Sequence, residues 1–537
     1  MKAQRSRDAN ARPRSANCGE LYTVCALPLS TVEHPLFVLP HAAAVKHQAL
    51  PTNHAVTRPV CQPSVMSVAE MPRVGRPGRA SLESGRRALT ELLGADRVGL
   101  GADVLAQHGH DESFHPEAQP DVVVWPRSIE EAAAIVRIAL EHRLPLVPFG
   151  AGTSLEGHVA ALAGGISVDM REMDAIGRPS LDNLDVAVQA GATRRALDAR
   201  LRPEGVFFAV DPGADATIGG MAATGASGTQ TVRYGTMREN VLALTIVNGR
   251  GEVVRTRSRA RKSSAGYDLT HLMIGSEGTL GLICEATLRL HAIPPAVAAV
   301  ACTFPSVGAA VQCAVAVGQY AIPVARIELA DELQIEAINR HDQTSFQVAP
   351  TLFLEFHGMS EADVAAQAQE TAGIAAEFGG SGFDWALDER ERRRIWHARH
   401  RAYDAARALR PGCAGLTTDV CVPISALADS VTAAQADIAE HGLTAPIVGH
   451  VGDGNFHVCV LVDPQDPEAI ARAEAFHGRL VERALAHGGT CTGEHGVGYG
   501  KARFLAAEHG AAAVEMMRAI KQALDPHGIF NPGKVIG

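Results

Sequence analysis

A chain of 537 residues that is 46% hydrophobic and 20% charged is too long for one core and too apolar for disorder, which implies two or three folded domains. Lys and Arg number 49 against 59 Asp and Glu, a net charge of −10, so no basic surface dominates and a nucleic-acid partner is excluded as the main business of the protein. Its 52 glycines follow no fixed period, which excludes a coiled coil or collagen and favours tight turns or close backbone approach to a ligand. Residues 1–66 hold seven Pro, seven Lys or Arg, three Asp or Glu and three of the ten Cys without sustained periodicity, and are expected to be disordered. Arg5, Arg7, Arg12 and Arg14 suit an organellar import segment, but no apolar face accompanies them; Met66 and Met71 make an over-extended start the simpler reading. Residues 67–116 are expected to form a helical lead-in.

From Asp121 the pattern becomes α/β. DVVVW (121–125) reads as a buried strand, SIEEAAAIVRIALEHR (128–143) as a helix with Ser128 and Glu131 in a capping box, and LPLVPFG (144–150) as a second strand, together a parallel βαβ crossover. LALTIVN (242–248) and EVVRT (252–256) flank Gly249-Arg250-Gly251, a hairpin signal, so the sheet should be mixed. A second α/β region follows, with strands predicted at 297–304, 351–356 and in both halves of 447–462, and helices at 361–378, 388–409 and 467–487. The apolar window Pro295 to Ala325 is broken by Pro305, Gly308, Pro323 and others, and reads as a core strand and buried helix rather than a membrane span. The final stretch, 515–537, is a helix stopped near Asp525-Pro526 and a Gly/Pro-rich tail. Ten Cys without a C-x-x-C pair and no secretory signal point to unpaired thiols and a cytoplasmic location, with mitochondrial import left open.

Three glycine-rich stretches carry the first functional signal. PFGAGTSLEG (148–157) follows a strand, where an α/β sheet presents its ligand crevice, and its glycines let backbone N–H groups approach a phosphate. Its spacing does not match the dinucleotide fingerprint, and an ordinary turn is equally compatible. The stretch 211–240 has six glycines in thirty residues, and IGSEGTLGLICEATLRL (274–290) places Glu277 among three more. Together PFGAGTSLEG, IGGMAATGASG (218–228), IGSEGTLG (274–281) and NPGK (531–534) resemble the FAD-binding oxidoreductases of the vanillyl-alcohol-oxidase, or PCMH-type, superfamily. Within it the chain is similar to the D-lactate dehydrogenase and glycolate oxidase catalytic-subunit group. The resemblance implies an α+β fold: a two-part PCMH-type FAD-binding domain (117–292), an α/β substrate or cap domain (293–500) and a C-terminal segment (501–537) returning to the FAD domain. It also implies that Gly150, Gly152, Thr153, Ser154 and Gly157 cradle the flavin pyrophosphate. Pro148, Leu155, Pro212, Gly213, Thr217, Gly219, Gly220, Thr224, Gly228, Glu277, Ile283 and Asn531 are expected along the rest of FAD. The similar group holds its flavin noncovalently, so His158 is not expected to carry a covalent bond.

The second signal is histidine spacing. His450 and His457 bracket Gly452-Asp453-Gly454-Asn455 within apolar runs that read as a hairpin. Counting back from that loop pairs His450 with His457 directly across the strands, so two imidazoles converge on one face. Glu494 in TGEHGVG (492–498) is the candidate third ligand of a divalent metal, Zn, Mn or Fe, with Asp453 a rival whose simpler role is turn formation. The similar enzymes build a two-His, one-Glu site from these segments. Such a site leaves positions open for the hydroxyl and carboxylate of a 2-hydroxy acid, and His495 is the candidate general base. Only the resemblance singles out Arg399, in W-x-x-R (396–399), as the carboxylate clamp. Thr417 and Thr418 stand where hydroxyglutarate enzymes of the group tend to place a Lys, which favours a monocarboxylate.

These features lead to an FAD-dependent dehydrogenase of D-2-hydroxy acids, D-lactate to pyruvate first. Glycolate oxidation within a larger complex, a D-2-hydroxyglutarate-like activity, and a flavin- or metal-binding module without turnover are the alternatives. A quinone, a cytochrome or an electron-transfer flavoprotein is the expected electron acceptor; peripheral membrane contact and a homodimer stay open.

Overall fold

The computed structural model describes residues 75–536. The predicted extension over 1–66, with Cys18, Cys25 and Cys61, lies outside the described residues. In the lead-in, the helix Arg79–Leu93 buries Leu89 and Leu93 against the helix Ile129–His142.

The lead-in is not wholly helical, because its Val98–Gly99 joins the first sheet: β1 (Val98–Gly99), β2 (Val122–Val124), β3 (Leu146–Phe149) and β4 (Ile166–Asp169), in the order β1-β2-β4-β3. β2 and β3 are parallel as expected, but each pairs with β4, which is inserted between them. A helix is about 10 Å wide against a strand spacing of about 4.8 Å, so the crossover through Ile129–His142 spans two strand widths and leaves a slot that the fully buried β4 fills. Ser128 caps that helix by accepting from Glu131 N at 3.2 Å. The reciprocal half of the expected capping box is missing, because Glu131 turns its carboxylate to the Arg97 guanidinium at 2.7 Å and Arg127 N at 2.7 Å; the charge-assisted pair is the stronger bond.

The next six strands are β5 (Asp185–Gln189), β6 (Val206–Phe207), β7 (Val241–Val247), β8 (Val253–Arg255), β9 (Leu282–Arg289) and β10 (His291–Ala292). β5-β9-β7-β8 make a wholly antiparallel sheet, and β6 with β10 a two-stranded ribbon. The predicted β7–β8 hairpin is present, but it belongs to this antiparallel sheet; mixed pairing is confined to the first sheet, where β1 runs antiparallel to β2. One apolar core joins both sheets.

The second half is built on a larger antiparallel sheet of β11 (Ala296–Thr303), β12 (Val324–Ala330), β13 (Thr351–Gly358), β14 (Ser381–Ala386), β15 (Ala414–Thr417), β16 (Val420–Cys421), β17 (Ile447–His450) and β18 (Asn455–Val462). The order is β14-β11-β13-β12-β17-β18-β15, with β16 also on β18. Its core takes in the helices Val307–Gln319, Glu361–Glu377, Leu427–Glu440 and Pro467–Ala486. The helix predicted over 388–409 is two, Glu389–His400 and Ala402–Ala408, broken at Arg401. The apolar window at 295–325 is β11 and its following helix, and no helix among the described residues is long and apolar enough to cross a membrane. After the helix Leu505–Leu524 the C-terminal tail returns to the first sheet: Leu146 N donates to Ile529 O and Asn531 N to Leu146 O, both at 2.7 Å.

Candidate active site

The loop after β3, the segment 211–228 and the turn before β9 enclose one cavity of about 460 Å³, which continues between the large sheet and the loop 494–498. Every cofactor-contacting residue expected from the resemblance lines it except Gly157. That glycine has φ +74, and a Cβ there would run into the Tyr499 ring; it serves close packing of the loop on the C-terminal segment rather than the cavity.

The loop fits a diphosphate. The amides of Ala151, Gly152, Thr153 and Ser154 donate to no acceptor among the described residues, and the hydroxyl of Thr229, which also lines the cavity, is buried and unpartnered. The buried Thr229 hydroxyl is costly to leave unpaired, and it and the half-buried amides of 151–154 are free donors that an anionic ligand satisfies. Other expected contacts are engaged by the protein itself. Ser154 donates its hydroxyl to Asp111 Oδ2 at 2.9 Å, and Asn531 Nδ2 donates to His158 O at 3.1 Å and Glu277 O at 2.8 Å. The Glu277 carboxylate is engaged by the protein: it accepts from Val497 N at 2.6 Å and Gly498 N at 2.7 Å, with His158 Nε2 3.1 Å away. It therefore anchors the loop that carries Glu494 and His495. A Cβ at Gly150 would collide with Thr217 Oγ1, the atom that caps the helix Ile218–Thr224 by accepting from Gly220 N. Gly150→Ala is expected to displace that cap, worth about 1 kcal/mol, and to lower flavin affinity by about fivefold or more; the flavin-to-protein absorbance ratio after gel filtration checks this.

At the far end of the cavity β17 and β18 present the two histidines. The register differs from the sequence expectation: His450 pairs with Asn455, and His457 with Val448. The turn begins at Val451 rather than Gly452, a slip of two residues. Because side chains alternate with a period of two, the slip keeps both imidazoles on one face as diagonal neighbours, with ring centroids 5.4 Å apart. Glu494 Oε1 lies 3.0 Å from His450 Nε2 and 3.1 Å from His457 Nε2, and Ser227, from the flavin-side loop, donates its hydroxyl to Glu494 Oε2.

The donor set fits a divalent cation. Each imidazole is held through Nδ1, His450 by Glu328 Oε1 at 2.7 Å and His457 by Thr418 O at 3.2 Å, which leaves both Nε2 atoms turned to Glu494. Burial alone would push His450 down, but the Glu328 and Glu494 carboxylates raise it well above the ordinary imidazole value. Burial would likewise raise Glu494, and His450 and His457 hold it well below the usual carboxylate range. Asp453 is not part of this group. Burial, outweighing the opposing Asp419 carboxylate, pushes His495 down to about 4, so its ring is neutral at physiological pH. It stacks on His457 at 4.8 Å between centroids, and its Nδ1 is buried without a partner among the described residues.

Arg399 reaches the same cavity from the helix Glu389–His400, buried, with Nη2 2.6 Å from Glu328 Oε2. Its Nε has no partner among the described residues. Sequence reasoning missed Glu328, which joins Arg399 to His450, and Asp419, which lies behind Glu494. Glu328 sits in VARIELA (324–330), where nothing in the pattern sets it apart from a surface strand residue. Asp419 stands in GLTTDVCVP, and its one signal was a carboxylate inside a stretch that otherwise reads as buried.

Residues 120–257 match the family described as FAD binding domain and residues 293–535 the one described as FAD linked oxidases, C-terminal domain. A probable mitochondrial D-lactate dehydrogenase of Danio rerio is 49% identical over 460 residues, covering 85% of this chain and 92% of that one. The mitochondrial D-lactate dehydrogenase (cytochrome) of Arabidopsis thaliana is 45% identical, covering 82% of this chain and 78% of its own. The solved structure of p-cresol methylhydroxylase with substrate bound superposes with a TM-score of 0.71 at 17% identity, covering 86% of this chain and 97% of that one. The chain belongs to the FAD-linked oxidases of the PCMH-type superfamily, in the group of D-lactate dehydrogenases and glycolate oxidase catalytic subunits.

Proposed function

We propose that the protein oxidises D-2-hydroxy acids, D-lactate first, to the 2-oxo acid with FAD as the immediate oxidant. One observation carries the reading: His450, His457, Glu494, His495 and buried Arg399 line the same cavity as the flavin cradle. Bound FAD supplies the acceptor for the C2 hydride, and a Zn, Mn or Fe dication on His450, His457 and Glu494 supplies the charge that acidifies the substrate hydroxyl. Lactate loses that hydride and one proton, and C2 becomes the carbonyl of pyruvate. Arg399 holds the substrate carboxylate through the donors Glu328 leaves free. His495 takes the hydroxyl proton at Nδ1; a base that is neutral at working pH has the lone pair the step needs. Thr418 is occupied in accepting from Val458 N at 3.0 Å and Thr417 carries no charge, so that wall offers no clamp for a second carboxylate. This supports a monocarboxylate.

The name of the Arabidopsis relative supports a cytochrome as the onward electron acceptor. Seven free cysteines among the described residues support a reducing, cytoplasmic compartment, while the mitochondrial relatives support import; cell fractionation decides between them. The test of function is an anaerobic visible spectrum. The flavin bands are expected to bleach with D-lactate and to persist with L-lactate. Bleaching by glycolate in preference to D-lactate would move the assignment to glycolate oxidation, and no bleaching by any 2-hydroxy acid would leave a binding module.

A further inference from the structure

We propose that Asp419 is the positioning residue that sets Glu494 and His495, a role resting on the metal reading above and lying outside its ligand set. Asp419 sits in the gap between β15 and β16, where the chain passes behind the loop 492–498, and it is fully buried. Its Oδ2 accepts from Thr492 Oγ1 at 2.7 Å, Glu494 N at 3.0 Å and His495 N at 2.9 Å. Its Oδ1 accepts from Asn455 Nδ2 at 2.8 Å and lies 3.6 Å from His457 Nδ1. One carboxylate therefore grips the loop that carries Glu494 and His495 and the first residue of the strand that carries His457.

The surrounding charge explains how a buried carboxylate is kept ionised. Lys501, also fully buried, places Nζ 3.5 Å from Asp419 Oδ2 and 3.2 Å from Asp419 O, and 3.0 Å from Glu156 Oε1 in the flavin loop. Buried charges persist when paired and hydrogen-bonded, as here on both sides. Asp419, His457 and His495 also stand close enough together to form a ligand group of their own. With three donors already on Oδ2 and Asn455 on Oδ1, the lone pairs are largely committed to the protein, which favours positioning over ligation.

An amide cannot replace this group. Asn in its place presents an NH₂ to donors on one side or the other, so the grip on the 494–495 backbone or on Asn455 is lost. Partners that orient metal ligands from behind typically contribute about 10- to 100-fold in metal affinity. The experiment uses flavin-loaded protein stripped with a chelator and titrated with Mn²⁺ under electron paramagnetic resonance, beside kcat and KM for D-lactate. Asp419→Asn is expected to bind Mn²⁺ about 10- to 100-fold more weakly and to lose kcat more than KM, with the flavin spectrum unchanged. Equal Mn²⁺ affinity and equal kcat in variant and wild type would overturn the proposal. Complete loss of binding with an intact flavin would make Asp419 a ligand and overturn it too. Wild-type protein that binds no Mn²⁺ would remove the metal reading instead, and the kcat comparison alone would then judge Asp419 through His495. Thr492→Val, which deletes one donor to Oδ2 and leaves the Lys501 pair intact, covers the case in which Asp419→Asn does not fold. It must weaken Mn²⁺ binding several-fold, and an unchanged affinity would count against Asp419.

Discussion

His457→Ala is expected to abolish metal binding and to lower kcat for D-lactate by about a thousandfold or more, while the flavin stays bound. The magnitude follows from what the site loses: one of three ligands, and with it the several kcal/mol of charge stabilisation that a bound dication contributes, at about 1.4 kcal/mol per tenfold. His457 itself is buried on β18 and tied at Nδ1 to Thr418 O, so the truncation opens a small space on the cavity wall without cutting a strand pairing. The flavin cradle is built from other segments, those around 150–154, 212–228 and 277–283. The two halves touch through Ser227 and Glu494 and through Glu277 with Val497 and Gly498. A modest fall in flavin affinity, within about tenfold, is therefore compatible with the assignment. Metal content by elemental analysis and the flavin spectrum read the two parts separately. Full turnover in the variant after chelation would remove the metal from the mechanism.

The site was legible where chemistry lies close together along the chain, and illegible where the sheet brings distant segments together. His450 and His457 flank one turn, so alternation alone put them on one face, and even a register wrong by two left that conclusion standing. Glu494 and His495 are adjacent, and their glycine neighbours marked them out. Glu328 is 122 residues from His450. It meets that imidazole because β12 pairs antiparallel with β17, Leu329 opposite Gly449, a pairing that no local pattern announces. Gly157 departs in the other direction: it does not line the cavity. It belongs to a motif that reads as a phosphate loop, yet its conformation answers to Tyr499, more than three hundred residues on. Glu277, marked by the glycines around it, does line the flavin cavity, but nothing local announced that its carboxylate also anchors a loop from the other half of the protein. The insertion of β4 between β2 and β3 was hidden for a related reason: four buried residues after a glycine pair are too short a signal to fix a place in a sheet.

Arg399→Lys is expected to lower kcat/KM for D-lactate by about 30- to 100-fold, with most of the loss in KM, although it keeps the positive charge. The guanidinium already sets Nη2 2.6 Å from Glu328 Oε2 as an ion pair, and Glu328 in turn holds His450. A lysine ammonium is a point donor on a flexible stem. It can satisfy Glu328 or the substrate carboxylate, but it lacks the rigid fork that serves both. Losing one charge-assisted hydrogen bond to the substrate costs about 2 kcal/mol, which is about 30-fold, and imperfect support of Glu328 adds to it. Arg399→Met removes the charge as well, leaves the buried Glu328 carboxylate unpaired on that side, and is expected to cost about a thousandfold or more. A loss of stability alone would not change which substrates are preferred, so discrimination is the sharper readout. Wild-type protein should prefer D-lactate strongly over D-lactamide, whose neutral amide cannot pair with the guanidinium, and Arg399→Met should erase most of that preference. Preserved discrimination with an unchanged KM would free Arg399 from the substrate and leave it as the counter-ion that keeps Glu328, and through it His450, in place.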